Sequence, residues 1–153
     1  MSSTPTPKPS GSEEVASEVT SLAKGKGKQK KILIVEDERP LAHALEMKLK
    51  HQGYETCVVT NGIEALSEVK KNVYGVILLD LIMPILDGFA VLEELKHLKI
   101  SVPVIVLSNL GQDEDRTKTK ELGAIDYFVK SNTPIADIVS RVSSVLSPSH
   151  AAQ

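Results

Sequence analysis

The sequence is poor in the features that mark several large protein classes. It has a single cysteine, Cys57, in 153 residues. No internal disulfide can form, which excludes a stapled secreted scaffold. No stretch approaches the roughly 18 consecutive apolar residues of a membrane span. The opening residues, MSSTPTPKPSGS, lack the apolar core of a secretory signal. A cytoplasmic protein without membrane insertion is therefore expected. Positive charge is not in surplus either: 18 Lys and Arg stand against 20 Asp and Glu, a net of −2. Direct nucleic-acid binding through bulk charge is disfavoured. The four histidines, His43, His51, His97 and His150, are scattered and form no cluster with Cys57. No internal repeat suggests a solenoid. What is present is ordinary for a globular protein, with 41 % hydrophobic and 25 % charged residues. The length suits about one domain.

The charge is unevenly placed. Residues 1–31 carry six lysines against three glutamates, a net of +3, which leaves −5 for residues 32–153. The first dozen residues are too polar to offset their ordering entropy. Val15, Val19 and Leu22 sit at helical spacing, but so short an isolated helix is marginal in water. KGKGKQKK then reads as a basic, flexible linker. Residues 1–29 are expected to be a flexible tail, 30–147 one folded domain, and 148–153 a short C-terminal tail. A solubilising extension is the favoured role for the first tail; a tethered partner-binding helix is the other.

From residue 31 the pattern is regular. KILIV is a short, continuous apolar run of the kind found in strands buried on both faces. Arg39-Pro40 opens a helix with Leu41, Leu45 and Leu49 on its inner side, ended by Gly53. Tyr54–Val59 is the second strand. Asn61-Gly62 turns into a second helix with Ala65, Leu66 and Val69 inward. Gly75–Leu79 is the third strand. Asp87 can cap a third helix carrying Phe89, Leu92 and Leu95. Val102–Leu107 and Ile125–Val129 are the fourth and fifth strands. Thr133 as N-cap and Pro134 as first helical residue start the last helix, whose apolar side is Ile135, Ile138, Val139, Val142, Val145 and Leu146. Such alternation predicts an α/β fold: a doubly wound, five-stranded parallel sheet with helices on both faces.

Polar residues stand where four of the strands end. Glu36 and Asp37 follow the first, Asp80 the third, Ser108 the fourth and Lys130 the fifth. All carboxyl ends of a parallel sheet lie on one edge, where open α/β sheets bind ligands. A strand order of 2-1-3-4-5 would bring Glu36, Asp37 and Asp80 together. Three carboxylates in one cleft either take up protons or share a cation. An oxygen-only ligand set favours Mg²⁺ or Mn²⁺. With one lysine and one hydroxyl beside them, the group suits phosphoryl chemistry, in which a carboxylate can itself be the nucleophile.

ILIVEDE, VILLDLIMPILDG, VIVLSN and AIDYFVKS, in that order and spacing, resemble the receiver domain of two-component response regulators. The resemblance covers about residues 30–147. It implies the flavodoxin-like form of the predicted sheet. It implies that Asp80 is a phosphoacceptor served by a sensor histidine kinase or a phosphotransfer protein. Asp37, Asp80 and the backbone carbonyl of Ile82 would hold Mg²⁺, with Glu36 acting through a water. Lys130 would pair with the phosphoryl group, Ser108 would hydrogen-bond it, and Tyr127 would be an aromatic switch. Taken by itself, Tyr127 reads as a half-buried strand aromatic with a solvated hydroxyl, and Asp87 as a helix cap. The output would be a downstream protein target, reached by a monomer or a phosphorylation-dependent dimer through the fourth helix, fifth strand and fifth helix. With only SPSHAAQ after the last helix, a stand-alone receiver is expected. Catalysis would be limited to its own phosphoryl transfer and dephosphorylation.

Several residues depart from that family's habit. Ile85 stands where Gly is frequent, Ser131 follows Lys130 where Pro is frequent, and Asn109 is bulkier than the usual small residue. Ile82 and Leu110 offer no group to orient a hydrolytic water, so a slowly hydrolysing phospho-Asp80 is expected. QDEDRTKTKELG should form the fourth helix, yet only Leu122 in it is apolar. A loosely docked helix is expected there, with Glu114–Lys118 as a local ion pair. Two further functions stay open on the sequence: a phosphorylation-independent interaction module, and a metal-dependent phosphatase using Asp80.

Overall fold

The computed structural model describes residues 31–147. Residues 1–30 and 148–153, on which the expected tails and the stripe of Val15, Val19 and Leu22 fall, lie outside the described residues. Strand and helix alternate five times: β1 Lys31–Val35, α1 Arg39–His51, β2 Glu55–Val59, α2 Gly62–Lys71, β3 Val76–Asp80, α3 Gly88–His97, β4 Val104–Ser108, α4 Asp113–Glu121, β5 Asp126–Val129 and α5 Ile135–Leu146. The strands form one parallel sheet in the order β2-β1-β3-β4-β5. This is the predicted fold.

Strand residues point alternately to the two faces, and each face is a separate core. Leu33, Val35, Ile77, Leu79, Val104 and Val106 pack with Ala65 of α2 and Val91, Leu92 and Leu95 of α3. Ile32, Ile34, Val76, Leu78, Ile105 and Leu107 pack with Ala42, Leu45 and Leu49 of α1 and Ile138, Val139 and Val142 of α5. A fully buried Leu or Ile contributes roughly 1.5–3 kcal/mol, so the central strands hold the domain together. Leu41, expected on the inner side of α1, is only partly buried.

Local chemistry sets the helix starts. Asn61 Oδ1 accepts from the Glu64 N–H at 3.0 Å, while Glu64 Oε1 accepts from the Thr60 N–H at 3.0 Å. Asp87 Oδ1 accepts from the Ala90 N–H at 2.9 Å, the cap expected from sequence. The start of α5 differs from expectation. Pro134, with φ −61° and ψ 147°, is itself the capping residue. The Thr133 hydroxyl turns back to donate to the Val129 carbonyl at 2.8 Å. It thereby closes the single 3₁₀ turn Lys130–Asn132 that follows β5.

Two strands run one residue further than their apolar runs. Asp80 pairs with Leu107, and Ser108 with Val129, as the last rungs of their ladders. The backbone of both residues is therefore held by the sheet. β4 begins at Val104, two residues later than expected.

α4 contains no apolar residue, because Leu122 is its C-cap. Its one buried residue is Thr119. The expected Glu114–Lys118 pair does not form. Lys118 instead places its ammonium 4.6 Å from the centre of the Phe89 ring, and the Arg116 guanidinium lies 4.8 Å over Tyr127. At exposed sites a cation over a ring is worth roughly 0.5–1 kcal/mol, comparable with a surface ion pair.

Candidate functional site

The strand order reverses between β1 and β3, and the crevice at their carboxyl ends collects the acidic residues. Glu36 leaves β1 with its N–H donating to the Val59 carbonyl at 3.0 Å. Its Oε2 accepts from the Glu38 N–H at 3.0 Å. Asp80 is 3 % exposed, and its Oδ1 accepts from the Ile82 N–H at 3.2 Å. Lys130, brought in from the end of β5, places Nζ 3.1 Å from Asp80 Oδ2 and 3.1 Å from Glu36 Oε1. One carboxylate oxygen from each of Glu36, Asp37 and Asp80 lies within 4.8 Å of the others.

The loop behind Asp80 is shaped by what its backbone cannot accommodate. Gly88 N–H donates to the Leu81 carbonyl at 3.0 Å. A Cβ on Gly88 would collide with the backbone carbonyl of Asp80, so the Asp87-Gly88 pair seats the nucleophile candidate directly. Ile85 adopts φ +72° with its side chain 77 % exposed. A β-branched residue pays about 1–2 kcal/mol in that left-handed region.

Burial dominates the electrostatics. It raises the Glu36 pKa to about 7, with the neighbouring Asp80 charge adding to the rise against the Glu38 N–H and Lys130. Burial also raises the Asp80 carboxyl, though Lys130 opposes it. For Lys130 itself desolvation pulls the pKa down, but the charges of Asp80 and Glu36 outweigh it and the net direction is up. The lysine stays protonated as the counter-ion of the cleft.

The other flank, at the ends of β4 and β5, is held by neutral hydrogen bonds. Ser108 is fully buried, and its Oγ accepts from the Leu110 N–H at 3.2 Å. The Tyr127 hydroxyl donates to the Leu110 carbonyl. One peptide-bearing residue is thus gripped at both ends by the two side chains expected to switch. The residue pattern suggested a solvated Tyr127 hydroxyl; the structure instead bonds it to a backbone carbonyl of the β4–α4 loop. Burial is the main cause of its raised pKa, with Asp115 adding to it.

The expected side chains Glu36, Asp37, Asp80 and Lys130 converge in the cleft, with Ser108 and Tyr127 at its β4–β5 flank. Ile82 sits at the rim, 59 % exposed. Sequence reasoning gave no role to Glu38, whose carboxylate is 3.4 Å from Lys130 Nζ. The only hint was that it extends the acidic run Glu36-Asp37.

The donors suit a hard divalent cation. Glu36 Oε1 is a buried carboxylate oxygen with no aligned hydrogen-bond donor. Lys130 Nζ approaches it closely, but the aligned bond from that ammonium goes to Oε2, at 3.2 Å. An unsatisfied buried oxygen beside two more carboxylates, with no nitrogen or sulfur ligand, fits Mg²⁺ or Mn²⁺.

Known proteins point the same way. Residues 32–143 match the response regulator receiver domain family. The chain is 41 % identical over 118 residues to a "Probable transcriptional regulator ycf27" of Pyropia yezoensis, covering 77 % of this chain and 48 % of that one. It is 37 % identical over 116 residues to the "Transcriptional regulatory protein PrrA" of Mycobacterium tuberculosis, covering 76 % and 49 %. The chain thus spans about half the length of the curated relatives it matches. Among solved structures, the receiver domain of the Francisella response regulator 1452 superimposes with a TM-score of 0.73 at 33 % identity, covering 76 % of this chain and 96 % of that one. With the sheet order, the cleft and these matches together, the chain belongs to the response regulator receiver domains of two-component signalling.

Proposed function

We propose that Asp80 accepts a phosphoryl group from the phosphohistidine of a sensor histidine kinase or phosphotransfer protein. A carboxylate oxygen of Asp80 bonds to phosphorus as the P–N bond breaks, and the departing imidazole nitrogen keeps the electron pair. Lys130, already 3.1 Å from Asp80, pairs with the incoming phosphoryl oxygens. The Ser108 hydroxyl donates to another of them. Glu36 through a water, Asp37, Asp80 and the Ile82 carbonyl would hold Mg²⁺ or Mn²⁺. When bound, that cation would neutralise the crowded carboxylates and offset the charge on the transferred group. The observation that carries this reading is the pairing of a buried, strand-fixed Asp80 with Lys130 beside two further carboxylates. Incubation with Mg²⁺ and phosphoramidate, followed by intact mass, is expected to give one phosphate adduct that Asp80→Asn abolishes; an adduct surviving in that variant would refute it.

The new charge then acts on the flank held by Leu110. Turning Ser108 toward phosphate competes with its bond to the Leu110 N–H, and Tyr127 moves with the loop. α4 follows, since few buried contacts hold it. The α4–β5–α5 face passes the change to a downstream protein, as a monomer or a phosphorylation-dependent dimer, without direct nucleic-acid contact by this domain. Amide exchange is expected to be faster in α4 than in α5 before phosphorylation; equal protection would contradict this. Ile82 and Leu110 leave no polar group to orient a hydrolytic water, so the adduct is expected to outlast minutes. A lifetime of seconds without a phosphatase would count against that.

A further inference from the structure

Two of the least expected residues of the site touch one another. Asn109 directly follows Ser108 at the end of β4, and Ser131 directly follows Lys130 after β5. Their backbones lie side by side because Ser108 and Val129 are paired in the sheet. The Ser131 N–H donates to Asn109 Oδ1 at 2.9 Å, across 22 residues of sequence. The bond exists only because residue 131 keeps its N–H and residue 109 carries an acceptor of the right reach. It joins the segment bearing the phosphoryl-binding hydroxyl to the segment bearing the phosphoryl-binding ammonium. On one side the Thr133 hydroxyl closes the turn through the Val129 carbonyl, at 2.8 Å. On the other, Leu110 is bound by Ser108 and Tyr127. Beyond the last rung of the β4–β5 ladder and the Tyr127–Leu110 bond, the Asn109 amide is the side-chain link that reaches the Lys130 turn itself.

We propose that Asn109 is a positioning residue for phosphoryl transfer: its amide oxygen, by holding the Ser131 N–H, fixes Ser108 and Lys130 relative to one another over Asp80. The inference rests on Asp80 being the phosphoacceptor. A transition state with charge on several phosphoryl oxygens needs both groups at once, and a small misplacement of either is costly. Loosening the link therefore slows transfer without removing any group that touches phosphate.

Three variants separate a hydrogen-bonded strut from a bulky plug. Asn109→Ala removes both the acceptor and the volume, Asn109→Leu keeps the branched shape in a larger side chain without the acceptor, and Asn109→Asp keeps the accepting oxygen. Each is phosphorylated with phosphoramidate at a Mg²⁺ concentration saturating for that variant, and Ser131 amide exchange is followed by NMR. The Ala and Leu variants are expected to be phosphorylated roughly three- to tenfold more slowly. Their Ser131 amide should exchange faster, whereas Asn109→Asp stays near the wild type in both readouts. Wild-type rates in Asn109→Ala and Asn109→Leu overturn the proposal. So does a rate that follows side-chain volume, with Ala and Leu on opposite sides of the wild type, or an Asp variant as slow as both. If the wild type takes up no phosphate, the phosphoacceptor reading itself falls and this inference with it. An adduct formed equally fast in all four proteins sinks only the strut.

Discussion

The two flanks of Asp80 are built from different forces. On the β1–β3 side, Glu36, Asp37 and Asp80 form a cluster of carboxylates, two of which, Glu36 and Asp80, share one buried ammonium. On the β4–β5 side, Ser108, Leu110 and Tyr127 form a chain of neutral hydrogen bonds. The first flank is expensive to bury and changes with pH and cations. The second is nearly indifferent to both and instead holds a loop in one arrangement. On the proposed reading, the charge-built half would bind the ligand and the hydrogen-bonded half would exchange partners, a sensible division for a switch.

The largest effect that would sharpen this contrast is loss of the shared ammonium. Lys130→Met leaves two buried carboxylates without their counter-ion, and a cost of about 3–5 kcal/mol is expected near neutral pH in a chelator. Urea unfolding should show most of that loss recovered at pH 5, where the carboxyls bind protons. A pH-independent loss would mean that the lysine serves packing instead.

Next in size is the pH dependence of the metal-free protein. The Glu36 pKa is raised from 4.5 to about 7, so between those values the folded state binds more protons than the unfolded chain. Stability from this group is complete below about pH 4.5 and is lost as pH rises toward 7, and Asp80 shifts in the same direction. The span is on the order of 2 kcal/mol. Glu36→Gln should flatten most of it, and saturating Mg²⁺ should reverse it by favouring the charged carboxylates. A wild-type profile unchanged by Glu36→Gln would break the comparison.

The smallest effect belongs to the neutral flank. Tyr127→Phe removes the bond to the Leu110 carbonyl and should cost about 1 kcal/mol, equally at pH 5 and pH 7 and with or without Mg²⁺. A strong pH or Mg²⁺ dependence of that cost would show that the two flanks are not separable.

The sheet was legible in the sequence because strands buried on both faces are almost continuous apolar runs, and their ends are marked where a charge or hydroxyl appears. Glu36, Asp80, Ser108 and Lys130 were therefore visible as one edge. What was hidden depends on loop geometry, which carries no periodic signal. The fold of the β4–α4 loop over Tyr127 turned a hydroxyl expected to be solvated into one bound to a carbonyl. Glu38 was given no role, because only the folding of the chain brings Lys130 to its carboxylate. Ile85 stood out by residue type, but its positive φ belongs to the turn that returns the chain to Gly88. Asn109 and Ser131 were each conspicuous alone, and nothing in the sequence joins them. In α4 the polar pattern was read correctly, yet cations over the rings of Phe89 and Tyr127 replaced the expected ion pair.

On the proposed reading, the carboxylate at position 80, and no other, becomes an acyl phosphate. Borohydride reduction of the Mg²⁺- and phosphoramidate-treated protein, followed by peptide mapping, locates that bond chemically. The account predicts a single reduced aspartate at position 80, present only when Mg²⁺ is supplied. Reduction at Asp37 or Glu36, or a phosphate that resists borohydride and maps to Ser108, would contradict it.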